Sequence, residues 1–129
     1  MSHFTTIQTR FYNLQYLEKA LSKLNINYQQ DEKTLYLNDS KTNAINLVIP
    51  QSNDHNIEFC WDGEQYKLIT DMSYWIQSYS VEGFLQRITN QYAGEVVVGE
   101  CRKAGFEPVK FKQNIDGSNT VTLQRWNGK

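Results

Sequence analysis

Residues 56–71, Asn-Ile-Glu-Phe-Cys-Trp-Asp-Gly-Glu-Gln-Tyr-Lys-Leu-Ile-Thr-Asp, spell out a β-hairpin. Asp62-Gly63 tolerates positive φ at both central positions of a type I′ turn, the tight connection whose twist matches the strands it joins. A two-residue turn there sets the register. It places Trp61 opposite Glu64, Cys60 opposite Gln65, Phe59 opposite Tyr66, Glu58 opposite Lys67 and Ile57 opposite Leu68. Period-2 alternation sorts these pairs onto two faces. Phe59–Tyr66 and Ile57–Leu68, with Trp61 at the end, make an apolar face. Glu58–Lys67, as a cross-strand ion pair, and Cys60–Gln65 make a wet one. The segment fixes an architecture and specifies no reaction.

The remaining periodicities extend that architecture. Residues 3–9 alternate as a strand. Asn13 is placed as an N-cap for a helix whose stripe is Leu14, Leu17, Leu21 and Leu24, ending near Asn25. Residues 34–37 and 44–49 read as strands joined by the polar stretch 38–43, and Pro50, lacking an amide hydrogen, stops the second. Residues 72–80 hold Tyr74, Trp75, Ile76 and Tyr79 without periodicity and read as an ordered loop or short turn. Ser80 is the expected N-cap of a longer helix, with Glu82 in its first turn and Val81, Phe84, Leu85, Ile88 and Tyr92 on one stripe. Gly94 costs about 1 kcal/mol there relative to alanine and is a candidate kink, and Gly105 is the expected stop.

Two strands, near 106–113 and 118–126, close the chain. A two-residue loop at Asp116-Gly117 would set Phe111 against Thr122 and Val109 against Gln124, mixing apolar with polar. A three- or five-residue loop sets Phe111 against Val121 and Val109 against Leu123, so polarity favours the longer loop. The fold class is therefore α+β: a mainly antiparallel sheet with two helices packed on one face, in the order β-α-β-β-β-β-α-β-β. The two α-β-β stretches resemble one another in layout, which suggests a pseudo-duplication. No Pro-, Gly- or Ser-rich linker divides the chain, so residues 1–129 are expected to form a single domain.

Charge excludes some functions. Thirteen basic and fourteen acidic residues give a net charge of −1, whereas a phosphate-backbone binder needs a surplus of Lys and Arg on one surface. The densest basic group, Lys110, Lys112 and Arg125, reads as the solvated face of a hairpin. No apolar run approaches the ~18 residues of a membrane span. The first residues lack a basic region followed by an apolar one, and they are not an Arg-rich transit segment, so the expectation is a protein that stays where it is made. Cys60 and Cys101 match no metal or redox spacing and read as independent, half-buried, reduced residues. Abundant Asn and Gln beside only four alanines suggest an AT-rich genome.

Met1-Ser2-His3-Phe4, Trp61…Gly63…Tyr66, Asp71 with Trp75, Phe84-Leu85 with Gln91-Tyr92-Ala93, and Asp116-Gly117-Ser118…Arg125-Trp126 occur in that order. As a set they resemble the family known as hypothetical chloroplast reading frame thirty-five, found in plastid genomes and cyanobacteria, over essentially the whole chain. The resemblance implies a plastid-encoded protein of the chloroplast stroma, or a cytoplasmic one if cyanobacterial. It implies no catalytic residues.

The residues themselves offer little chemistry. There is no Gly-rich phosphate loop, and no cofactor is implied. His3 and His55 read as surface or structural residues rather than ligands, and no metal site or catalytic set is assigned. Asp71 and Glu82 are the weak acid/base candidates, Asp71 because it precedes an irregular aromatic segment. Trp61, Tyr66, Tyr74, Trp75, Tyr79, Phe84 and Tyr92 fall within 32 positions. Core packing is the plainer account of that concentration. The sharper one makes Tyr74, Trp75 and Tyr79 an exposed anchor for another protein, joined by Arg125 and Trp126. The expected role is a non-enzymatic accessory or interaction domain. The alternatives are a small-ligand domain with a pocket between the second helix and the sheet, an acid/base enzyme, and a weak single-stranded RNA binder. The oligomeric state is open.

Overall fold

The computed structural model describes residues 4–37, 40–113, 115 and 119–125. The order is β1 (Phe4–Gln8), α1 (Leu14–Lys23), β2 (Gln29–Leu37), β3 (Ser40–Ile49), β4 (Ile57–Trp61), β5 (Tyr66–Asp71), a 3-10 turn (Met72–Tyr74), α2 (Val81–Lys103), β6 (Phe106–Gln113) and β7 (Asn119–Arg125). This is the α+β class and the element order that the periodicities imply. The strands fall into two sheets, one of five in the order β1-β5-β4-β3-β2 and one of two, β6-β7, and every pairing is antiparallel. The chain divides into two compact units. One holds residues 1–14 and 25–78, the other residues 15–24 and 79–129. The two α-β-β stretches thus end differently: β2 and β3 extend a larger sheet, while β6 and β7 form their own ribbon.

In the first unit, Leu47, Ile49, Ile57, Phe59, Tyr66, Leu68 and Thr70 are buried along the three central strands, and Phe11 packs its ring against Phe59 at 5.9 Å. The alternation of β4 and β5 puts Ile57, Phe59, Tyr66 and Leu68 inward, as expected, and Thr70 with them, while Trp61 is half-buried. The register differs. Trp61 faces Tyr66, Cys60 faces Lys67, Phe59 faces Leu68 and Glu58 faces Ile69. The connection is four residues, not two. Asp62 keeps a negative φ, so the type I′ turn does not form; Gly63 alone turns positive, at 104°. The Asp62 carboxylate instead accepts the amides of Glu64 and Gln65, each at 2.8 Å, and the Asp62 amide donates to the Gln65 carbonyl at 3.0 Å. A short acceptor bound to its own turn outcompetes the tighter loop. Lys67 consequently pairs with Asp62 at 3.5 Å rather than with Glu58.

β2 and β3 are also longer than expected. They pair from Gln29↔Val48 to Leu37↔Ser40, so residues 40–43, expected in a loop, lie in a strand. β3 stops at Ile49, before Pro50.

The second unit is built on α2. Ser80 caps it, its hydroxyl accepting the Gly83 amide at 3.1 Å, and Gly105 follows its end at φ 89°. The helix is continuous past Gly94. Val81, Phe84, Ile88 and Tyr92 are buried, as are Tyr16, Leu17, Ala20 and Leu21 of α1. The Tyr16 and Tyr92 rings meet edge-to-face at 6.4 Å. Tyr16 also lies over Gly99, where an added Cβ would fall 2.5–2.7 Å from ring carbons. β6 and β7 pair Phe111 with Val121, the register that polarity favours. A bulge between Pro108 and Lys110 sets Leu123 opposite Pro108 instead of Val109.

Candidate functional site

The best-organised surface of the first unit lies where the chain leaves β3 and β5. Gln51 is buried, 7% exposed, and uses both ends of its amide. Its Nε2 donates to the carbonyls of His55 and Tyr74; its Oε1 accepts the Ile76 amide at 3.1 Å and Gln77 Nε2 at 3.2 Å. Asn53 adds Nδ2 to the Tyr74 carbonyl at 2.9 Å and accepts the His55 amide at 3.0 Å. Asp54 supplies a left-handed turn at φ 63°, a conformation Asp tolerates. The result is a face-to-face stack of the His55 and Tyr74 rings, with centroids 3.6 Å apart and planes 2° from parallel.

Asp71 starts the 3-10 turn by accepting the Ser73 amide at 3.0 Å. Met72, Tyr74 and Ile76 project from the segment 40–49% exposed, and Trp75 is half-buried. Phe4 stands opposite Asp71 in the β1–β5 register and is 71% exposed. Five apolar or aromatic side chains are thus held on a hydrogen-bonded loop and the adjoining edge strand.

A groove of about 300 Å³ lies elsewhere in this unit, walled by Tyr12, Leu14, Asn43, Ala44, Ile45, Trp61 and Tyr66. Three bonds shape it. The Tyr66 amide donates to the Phe11 carbonyl at 2.9 Å, the Tyr66 hydroxyl to the Ile45 carbonyl at 3.0 Å, and the Trp61 amide to Asn46 Oδ1 at 3.0 Å.

The family described as "Protein of unknown function (DUF1257)" matches residues 20–122. An "Uncharacterized protein ycf35" of Trieres chinensis is 54% identical over 93% of this chain and 94% of its own length. The protein of the same name from Cyanophora paradoxa is 40% identical over 98% of both chains, and that from Guillardia theta 39% over 98% of both. The chain belongs to the ycf35 family. That family is plastid-encoded and its function is unassigned. No solved structure matches the chain.

The ycf35 chain brings only some of the expected contact residues together. Tyr74 and Trp75 share the loop. Tyr79 belongs to the second unit, 46% exposed, with the Arg87 guanidinium 4.4 Å above its ring. Arg125 takes the register position opposite Phe106, and Trp126 lies outside the described residues. The two acid/base candidates sit apart in role: Asp71 is buried and turned to its own loop, while Glu82 is exposed in the first turn of α2. His3 is outside the described residues, and His55 is committed to its stack.

Sequence reasoning missed Gln51, the His55–Tyr74 stack and a buried carboxylate, Glu95. The last is 5% exposed, contacted by Lys23 Nζ at 2.5 Å and Gln91 Nε2 at 3.2 Å. Only the Gln91–Glu95 spacing of four was visible beforehand. Cys60 and Cys101 are both free and half-buried. Burial, then the nearby Glu58 carboxylate, pushes the Cys60 thiol up to about 11. Among the described residues, no helix is long and apolar enough to cross a membrane.

Proposed function

We propose that this ycf35-family chain is a non-enzymatic accessory protein of the plastid stroma that docks another protein through its aromatic loop. The observation that carries the reading is the pinned, outward Tyr74. Five hydrogen bonds between the Gln51 and Asn53 side chains and the backbone of residues 55, 74 and 76, together with the His55 stack, hold an exposed ring in one place. A preordered aromatic loses little conformational freedom on binding, which is what an anchor residue requires. Trp75, beside it, supplies the larger buried area.

The reading includes one domain over residues 1–129. The chain passes between the two units three times, and α1 of the early sequence is completed by α2 of the late sequence, so neither unit is a continuous segment. A single calorimetric transition, coincident with loss of tryptophan fluorescence, is the expected result.

The docking test uses the tagged chain against plastid stroma, followed by affinity measurement on the purified partner. Tyr74→Ala and Trp75→Ala should each weaken that affinity tenfold or more with the melting temperature preserved. A partner bound equally well by both variants sinks the loop reading.

The groove favours a second function, small-ligand binding. Its aromatic walls and single side-chain amide, Asn43, suit a planar or apolar ligand with one polar group. Trp61 fluorescence should respond to such a ligand and Ile45→Trp should block it; a silent titration across ligand classes removes the idea.

A further inference from the structure

The five-stranded sheet has two edges, and their chemistry differs. β2 carries Asp31, Glu32 and Lys33 near its middle, charges of the kind that discourage chance pairing at an open edge. β1 reads Phe-Thr-Thr-Ile-Gln. It carries no charge and no proline, pairs with β5 without a bulge, and ends the sheet with Phe4 exposed. Its outward amides and carbonyls form a template for one more strand.

We infer that β1 pairs antiparallel with β1 of a second copy of this chain, across a two-fold axis at Thr6. In an antiparallel ladder, hydrogen-bonded and non-bonded pairs alternate. A true two-fold axis therefore passes midway between a residue and its own facing copy. Centred on Thr6, all five residues of β1 are used: Thr6 faces Thr6, Thr5 faces Ile7 and Phe4 faces Gln8. No charge meets its like. Ile7, half-buried against Leu68 at the sheet edge, gains a threonine neighbour. The same rule applied to β2 sets Lys33 against Lys33 at its midpoint, or Glu32 against Glu32 one step before it; like charges part once the centre shifts to Thr34 or beyond, away from the middle of the strand. Charge pattern thus leaves every register of β1 open to a second copy and closes the central registers of β2. Five residue pairs bury less than the roughly 1,200 Å² of a stable interface, so the dimer is a weak one. The inference needs none of the 72–80 aromatics and stands apart from the docking reading.

The test is sedimentation of the intact chain across the micromolar to millimolar range. The mean mass should climb from 15.1 kDa toward twice that value. Thr6→Lys places two ammonium groups face to face and should weaken association at least tenfold, while Thr34→Lys, exposed on β2, should leave it unchanged. Thr6→Cys gives an independent reading. Facing residues in such a ladder lie within disulfide reach, so mild oxidation should join the two substituted positions, as located by peptide mapping. A chain that stays monomeric throughout, a Thr6→Lys variant that associates like wild type, or an oxidised Thr6→Cys variant without that bridge each overturns the inference.

Discussion

The β4–β5 and β6–β7 connections each contain an Asp-Gly dipeptide, and in neither does the closing pair match a two-residue turn at it: the pairs are Trp61↔Tyr66 and Gln113↔Asn119. For the second, polarity identified the register; for the first it did not. The reason is parity. In β6–β7 the tight turn and the observed pairing differ by one residue, which exchanges the faces and sets Phe111 against Thr122 or Val121. In β4–β5 they differ by two, which leaves every side chain on its own face. Polarity reads faces, so it separates odd shifts and is blind to even ones.

That contrast can be stressed by mutation. The largest effect should come from the face both registers share: Phe59→Ala, at a fully buried ring opposite Leu68, should cost about 3–5 kcal/mol by chemical denaturation. Asp62→Ala tests what selects the longer loop. It removes the acceptor of two amides and should cost about 1 kcal/mol. The Gln65 and Glu64 amides, and then Lys67, hold the Asp62 carboxyl below the ordinary carboxylate range. Its contribution is thus fully present above that range and lost as pH falls through the lowered value. The wild type should lose this increment in acid, and Asp62→Ala should not.

A smaller effect is expected from deleting Glu64 and Gln65 together. The deletion leaves Asp62-Gly63 to close a true type I′ turn with Trp61 still facing Tyr66, and stability should change by no more than about 0.5 kcal/mol. Cross-strand NOEs between residues 59 and 68 should survive; their loss would show that the longer loop sets the pairing. The wet face can be read without disturbing the fold. With its thiol pushed up to about 11, Cys60 should alkylate near pH 8 about 100-fold more slowly than a free thiol. Rapid labelling at that position in the folded chain would contradict its placement.

What could be read beforehand follows the range of each interaction. The ends of α2 were legible because Ser80 and Gly105 act on their own neighbours. Two stretches of the β2–β3 hairpin were not. Gln29 to Lys33 and Ser40 to Asn43 are polar with mostly exposed side chains, and they become strands by pairing with residues 44–48 and 34–37 respectively rather than by covering a core. The candidate site divides in the same way. The exposure of Tyr74 and Tyr79 was an available expectation because the loop lacks a period. The Gln51 hub, 23 to 26 positions from three of its partners, was not, since nothing local marks a glutamine whose amide closes a distant loop.

Gly99 carries one last implication. The tyrosine ring of α1 occupies the volume that any side chain at position 99 would need. The two positions should therefore drift as a couple: a relative with alanine at 99 is expected to have exchanged the phenol at 16 for something shorter. An aligned family in which the bulky ring and a branched or methylated residue coexist at these sites would mean the helices have moved apart.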